Sequence, residues 1–352
     1  MRRLQIAALV LALGIGASIG LAARAAPAMP DARDPVPLRG VPLRGETGLR
    51  LLVPNNPPIV LDVDSGSVSP TGVPAMARGA LRISGIGGRA AVVVQHSHWQ
   101  RKDIYAVRGR DAHVSKLGTG ANVWPAADGR SVWVQSVVSR SRCTLRRMGL
   151  DGRQLRAPRP FPCATGSDPA VGSLGLVSRR TRVLDPQTGR LVLQTRWGIL
   201  AAAGPTLVLA GPATVVTSSH QFTLLDATTR SERRFRWPSI LPYRDAPAVD
   251  PRGRFVALAF ADPTTSFGGQ ALDVWLVDTL TGKLTQLPGM PALVSLKRTS
   301  MAWTDDGRLV LLSGRNGRYV VAVWRLGQRR LALKTVQLAE LDAGSDSFAI
   351  LR

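Results

Sequence analysis

The chain has 352 residues, 45 % of them apolar, enough to bury one large core or two ordinary ones, and this excludes general disorder. Its formal charge of +23 comes almost wholly from arginine, since lysine occurs only at 102, 116, 283, 297 and 334. Such an imbalance admits a polyanionic partner; an arginine-biased composition, alongside abundant Ala, Gly and Pro, produces the same surplus.

Met1-Arg2-Arg3 is a short positive region, followed by an uncharged run from Leu4 to Ala23 and small-x-small sites at Ala23-Arg24-Ala25 and Ala26-Pro27-Ala28. That is the layout of a secretory signal peptide, and about 20 apolar residues would also serve as an N-terminal membrane anchor. Residues 1–25 are therefore expected to be a signal peptide or anchor, with the rest exported to the extracellular side or the outer face of the cytoplasmic membrane. No cysteine lies near a cleavage site, which excludes a lipoprotein. Gly16-Ala17-Ser18-Ile19-Gly20 fits the G-x-S-x-G of a hydrolase elbow. An elbow needs a strand before the serine and a helix after it, and an apolar leader offers neither.

Residues 26–46 read as a Pro-rich linker, with prolines at 27, 30, 35, 37 and 42 that forbid a regular helix. It contains a tandem pentapeptide, Val36-Pro-Leu-Arg-Gly40 then Val41-Pro-Leu-Arg-Gly45. An extended spacer ahead of a domain over 47–352 is expected. The two cysteines, Cys143 and Cys163, form an even count in an exported chain, so a structural disulfide is expected.

From Thr47 onward there is almost no helical periodicity. Short runs of Val, Leu, Ala and Trp are bounded by Gly, Asp, Pro and Thr, a pattern of strands and tight turns. One turn recurs as D-x-x-[ST]-G-x-[LV], at Asp62–Val68, Asp185–Leu191 and Asp278–Leu284, and Asp226–Arg230 keeps the frame but loses the glycine. Asp and Thr side chains can bond local amides there, and Gly takes positive φ. Looser equivalents lie at Arg108–Asp111, Gly149–Gly152 and Leu326–Gln328, which makes seven hairpins. Between them fall Asp-Gly turns, Asp128-Gly129-Arg130, Asp250-Pro-Arg-Gly253-Arg254 and Asp306-Gly307-Arg308, each leading into an apolar run. Four antiparallel strands per period of about 40–50 residues is a propeller blade.

These repeats resemble the WD40-like and TolB-like β-propeller repeats. Val277-Asp278-x-x-Thr281-Gly282-Lys283 resembles the end of a WD repeat with valine in place of tryptophan, and the Asp-Gly-Arg turns are closer to the TolB-like pattern. The fold expected is all-β, a seven-bladed propeller of four-stranded antiparallel blades. Room for two strands before the first D-x-x-S-G turn, and a spare strand at Ser347–Leu351, predict closure by the C-terminal strand joining blade one.

Chemistry-bearing residues are sparse. Gln95-His96-Ser97-His98-Trp99 is the best metal candidate, because H-x-H on a strand puts both rings on one face, but no third ligand is assured. His113 and His220 stand apart, and no motif selects a Ser-His-Asp set. Arg140, Arg142, Arg146, Arg147, Arg153, Arg156 and Arg159 crowd the third blade's outer hairpin, and Arg230, Arg233, Arg234 and Arg236 the fifth's. They read either as a solvated edge that resists pairing or as a site for an anionic envelope surface. Trp124, Trp133, Trp275, Trp303 and Trp324 read as packing between blades. No catalytic residue, cofactor or metal is assigned. The expected role is a monomeric, non-enzymatic scaffold that binds a protein, or an anionic envelope surface. It binds no nucleic acid and meets the membrane only through an uncleaved N-terminal segment. The alternative is a hydrolase or lyase with a site at the central channel mouth.

Overall fold

The recurrent aspartate turns fold as their side chains dictate. In the computed structural model, which describes residues 36–75, 81–87, 90–95, 102–163, 169, 171–211, 221–236, 239, 241, 243–262, 270–294, 300–315, 318–338 and 348–352, each has a residue of positive φ at the glycine position. Gly66, Gly189 and Gly282 have φ of 76°, 73° and 77°, and their N–H groups donate to Asp62, Asp185 and Asp278 O at 2.8, 2.7 and 2.7 Å. In the fourth copy Arg230 has φ 62° and donates to Asp226 O at 2.9 Å. The frame therefore forces an arginine into the left-handed region that glycine occupies elsewhere.

Each turn joins two neighbouring strands, and among the described residues the strands assemble into seven sheets in chain order. Sheet one holds Arg50–Val53, Ile59–Asp62 and Val68–Pro70, with Ala349–Leu351 antiparallel beside the first of these in the register Arg50↔Leu351 and Leu52↔Ala349. Sheet two comprises Leu81–Ile86, Ala90–Gln95, Lys102–Arg108 and His113–Gly120, and sheet three Asn122–Pro125, Ser131–Ser139, Arg142–Gly149 and Gln154–Phe161. Sheet four has Leu176–Ser178, Arg182–Leu184 and Leu191–Gln194; sheet five has Ile199–Ala203, Thr206–Ala210, Gln221–Asp226 and Glu232–Arg236. Sheet six runs Tyr243–Val249, Phe255–Asp262 and Gln270–Asp278, with its outer strand split into Leu284–Gln286 and Ala292–Val294. Ser300–Trp303, Arg308–Arg315, Arg318–Arg325 and Leu331–Gln337 make sheet seven.

The expected four strands per sheet fail in sheet four, where three are paired among the described residues. Before them, Pro169 O accepts from Val177 N–H at 3.3 Å, and as proline it has no N–H to return.

The apolar core lies between the sheets. Leu52, Val60, Ile83 and Val107 join sheet one to two, and Ile86, Ile104, Val132 and Val134 join two to three. Trp124, Trp133 and Leu184 join three to four, and Val177, Val183, Ile199 and Leu207 join four to five. Val208, Phe222, Leu258 and Phe260 pack between five and six, and Leu276, Trp303, Leu311 and Trp324 between six and seven. A seventh cluster, with Leu51, Leu61, Val310 and Val321, joins seven to one. Face-to-face packing of consecutive antiparallel sheets is the arrangement of a propeller. The tryptophans take the packing role expected of them, and Trp324 Nε1–H and Trp303 Nε1–H donate to Gln328 O and Ala248 O at 2.9 and 3.1 Å.

Part of the expected linker is docked instead. Val36–Pro37 pairs in parallel with Ala292–Leu293 on the outer side of sheet six, and Gly40–Pro42 with Leu331–Leu333 on sheet seven. Proline forbids a helix and the middle of a sheet, but it is admissible on an edge strand. Cys143 and Cys163 are disulfide-bonded, 20 residues apart in sequence with Cα atoms 5.2 Å apart. Buried Gln135 fixes the neighbouring segment by donating Nε2–H to Pro162 O at 3.0 Å. A loop of this size is worth roughly 3 kcal/mol in the chain-entropy model.

Arg230→Gly is expected to raise stability by up to about 1 kcal/mol, because the turn already has glycine geometry. Chemical denaturation with an unchanged m-value checks this; a loss of stability would mean that the Arg230 side chain matters more than its backbone.

Candidate interaction surface

The arginine clusters are where the sequence placed a functional surface, and the structure divides them. Arg147 lies on Arg142–Gly149 opposite Trp133, with its guanidinium 5.6 Å from that ring. Its Nε–H donates to Ser131 Oγ at 2.8 Å and its Nη2–H to Asp128 Oδ2 at 2.7 Å. Asp128 Oδ1 also accepts from the N–H of Arg130 and of Ser131, both at 3.1 Å, so Arg147 locks the Asp-Gly turn of its own sheet. Arg146 reaches the other way, donating Nη2–H to Thr119 O of sheet two at 2.7 Å.

Arg159 and Arg233 follow a rule that sequence spacing does not reveal. Arg159 Nη2–H donates to Pro186 O in the aspartate turn of sheet four, and Arg233 Nη2–H donates to Thr279 O in that of sheet six at 2.7 Å. Lys334 of sheet seven does the same to Asp64 O in the turn of sheet one. Each cation sits on an outer strand and binds a carbonyl one or two residues past the turn aspartate of the next sheet. The three acceptor turns are the three with the complete D-x-x-[ST]-G motif. Arg50 makes a related bond, from sheet one to Arg110 O in the turn of sheet two. The reading of these arginines as a solvated edge or an anion site is thus corrected in part: Arg146, Arg147 and Arg159 are partly buried with their guanidiniums engaged by turns and neighbouring sheets, whereas Arg233 stays exposed while donating to the next sheet's turn. Arg140, Arg142, Arg153, Arg156, Arg230, Arg234 and Arg236 stay exposed.

The turn carboxylates are held below their ordinary value of 3.8. In Asp62 the main cause is the Ser65 N–H, and in Asp226 the N–H groups of Thr229 and Thr228. In Asp278 it is the Arg254 guanidinium, whose Nη2–H donates at 2.7 Å. In Asp128, Asp185 and Asp306 burial works against the charge, but hydrogen bonds from Arg130 and Ser131, from Thr188 and Gln187, and from Thr304 and Arg308 outweigh it.

A different surface emerges on sheet four. Its outer strand, Leu191–Gln194, follows Arg190, and the run Arg190-Leu191-Val192-Leu193 is closely alike in sequence to Arg330-Leu331-Ala332-Leu333 on sheet seven. The edge on sheet seven is covered by Gly40–Pro42, whereas Leu191 and Val192 are 49 % and 45 % exposed at the end of their sheet. Exposed Arg190 and Arg196 bracket the strand, and Arg196 lies 4.8 Å over the Trp197 ring. Sequence reasoning missed this edge, although its apolar run after a Thr-Gly turn was visible. The metal candidates His96 and His98, with His220, lie outside the described residues, and His113 is exposed at a strand start. Among the described residues no three His, Cys, Asp or Glu side chains are grouped to hold a metal ion.

Glutamine at both Arg146 and Arg147 should lower stability by about 1–2 kcal/mol, since bonds to charged groups in partly buried positions are lost. The same change at Arg153 and Arg156 should stay within about 0.5 kcal/mol of wild type; paired thermal melts compare them. The carboxylates set a second expectation. Each binds its proton less readily folded than unfolded, so its contribution is complete above 3.8 and is lost as the pH falls through that value toward the lower folded ones. Melting temperature should therefore be level from about pH 7 to 5 and fall below about pH 4, and Asp185→Asn should flatten that fall.

No family model matches the chain, and no curated protein matches it. Among solved structures it is similar to apo AztD from Citrobacter koseri, at 12 % identity over 86 % of this chain and 98 % of that one, with a TM-score of 0.48. It is similar also to a chain of the Mitotic Checkpoint Complex, at 16 % identity over 91 % and 99 % with a TM-score of 0.48. A third likeness is to the β-propeller domain of the Trilobed protease from Pyrococcus furiosus, at 9 % identity over 82 % and 88 % with a TM-score of 0.43. Likenesses this distant carry nothing about activity.

Proposed function

We propose that the chain is an exported, non-enzymatic scaffold that binds a protein partner by strand addition at the outer edge of sheet four. The observation that carries this is the contrast between two alike edges, one covered by a strand of the same chain and one with no strand beside it among the described residues and with Leu191 and Val192 half exposed. An added strand would bond to the open edge through its backbone and take specificity from side chains on alternate positions. Arg190 and Arg196 favour a partner segment that is apolar at its centre and acidic at its ends.

The platform is a seven-bladed propeller closed as a ring, with the C-terminal strand completing the first blade. Its support is the seven sheets, the apolar cluster between sheets seven and one, and the pairing of Ala349–Leu351 with Arg50–Leu52. Arg352 adds ion pairs to Asp305 and Asp306 of sheet seven at 3.2 and 3.3 Å. Export is supported by the leader-like composition of residues 1–25 and by the disulfide, which persists in oxidising compartments. No observation among the described residues favours the enzyme alternative.

A displayed library of extended peptides selected on the intact chain tests the reading. Selected binders should share an apolar centre with acidic flanks, and Leu191→Lys with Val192→Lys should weaken them at least tenfold while the melting temperature holds. Binders indifferent to that double change would remove sheet four as the site. Binding that instead fails with Arg153 and Arg156 replaced, and falls steeply with salt, would favour the anionic-surface reading.

A further inference from the structure

The two halves of the tandem pentapeptide make the same contact twice. Val36-Pro37 pairs with Ala292-Leu293, and Val41-Pro42 pairs with Ala332-Leu333, both in parallel and both against an Ala-Leu pair on an outer strand. The leucine after each Val-Pro then packs inward. Leu38 lies against the cluster between sheets six and seven, and Leu43 against the cluster between seven and one. Five residues of extended chain span at most about 17 Å, and here they advance the chain by one sheet. The sequence period of the peptide thus matches the sheet-to-sheet period of the domain.

The glycine of the first half is demanded by this approach. A Cβ on Gly40 would lie 2.3 Å from Leu331 O and 2.8 Å from Leu333 Cγ. Leu43 N–H closes the second half by donating to Leu333 O at 2.8 Å. Arg39 and Arg44, the residues between and after the paired stretches, are exposed, and the apolar contacts fall to Leu38 and Leu43.

We propose that Val36–Gly45 is a bivalent clasp, a two-site peptide ligand carried by the chain itself. Its equivalent halves occupy edge sites on adjacent sheets and brace both interfaces of sheet seven, including the one where the two ends of the domain meet. The Val-Pro-Leu-Arg-Gly repeat is the recognition unit, and the outer strands Ala292–Val294 and Leu331–Gln337 are its receptor surface. Two linked halves raise each other's effective concentration, so losing both releases far more than twice what losing one does.

Trypsin provides the readout, because a protease must lift several residues on each side of a bond out of their pairing. In the full chain, brief digestion followed by peptide mass spectrometry should find the Arg39–Gly40 bond resistant. Leu38→Ala or Leu43→Ala alone should speed its cleavage a few-fold, and the two together at least tenfold, with a lower melting temperature. Synthetic Val-Pro-Leu-Arg-Gly-Val-Pro-Leu-Arg-Gly added in trans should restore part of that temperature, and a scrambled decapeptide should not. Hydrogen exchange on the unaltered chain covers the case of a variant that does not fold, since the Leu43 amide should be protected. The clasp is refuted if Arg39–Gly40 is cut as fast in the wild type as in the double variant, if the Leu43 amide exchanges freely, or if the decapeptide does nothing.

Discussion

Every sheet in this molecule is stabilised by apolar side chains that it shares with the next one. The strands are short, and an isolated sheet of three or four such strands would leave one or both faces wet. Val132, Val134, Leu207, Leu258, Leu309 and Val321 are fully or almost fully buried, and each belongs to a cluster built from two sheets. Burying a side chain of this kind is worth about 1.5–3 kcal/mol, so an unpaired face would lose several such contributions at once. Stability is therefore collective. It also explains the bulky tryptophans on sheets three and seven, where one ring fills space that two aliphatic chains would otherwise have to fill.

The polar layer depends on that apolar one and follows its order. An aspartate turn satisfies its own amides: Asp185 Oδ1 takes the Gln187 N–H at 2.7 Å, and Asp226 Oδ1 takes those of Thr228 and Thr229 at 2.8 and 3.0 Å. What the turn does not satisfy locally are the carbonyls just past the aspartate, which face the preceding sheet. A long cation on that sheet's outer strand can reach them, as Arg159, Arg233 and Lys334 do. Arginine suits the task because its stem packs on apolar surface while its planar fork offers several donors. Part of the large positive charge is thus consumed in joining sheets, and net charge alone overstates how much of it is free to attract an anion.

The aspartate turns were legible because every group they need lies within five residues, and the side-chain chemistry of Asp, Thr and Gly specifies the backbone directly. Even the imperfect copy at Asp226–Arg230 could be recognised, and its backbone keeps the frame. Tryptophan packing and the cysteine pairing could also be read, from alternation in strands and from the parity of a count. The inter-sheet cations were not legible. Arg159 and its acceptor Pro186 are 27 residues apart, and Arg233 and Thr279 are 46 apart, so their meeting depends on how sheets pack rather than on any local pattern. The docked pentapeptides were hidden for a different reason: five prolines read as a spacer, and proline on an outermost strand differs from that only by the presence of an edge to lie on.

Edges are the liability of this architecture, and the chain treats them unequally. An outer strand presents unpaired backbone groups that invite another strand. Sheet three blunts its edge with Pro158, Pro160 and exposed arginines, and sheet five with Glu232, Arg233, Arg234 and Arg236. Sheet one ends in the three-residue strand Val68–Pro70, too short and too proline-bound to extend. Sheets six and seven carry apolar edges, Ala-Leu-Val and Leu-Ala-Leu, and these are the two that the N-terminal repeats cover. Sheet four carries Leu-Val-Leu with charge only at its margins, and among the described residues no strand pairs with its outer side. An apolar edge is tolerable when it has a built-in cover, and the uncovered outer strands of sheets one, three and five are charged or broken by proline. The edge of sheet four fits neither rule by itself. It fits the first if its cover comes from another molecule, and that is the physical ground for placing a partner there.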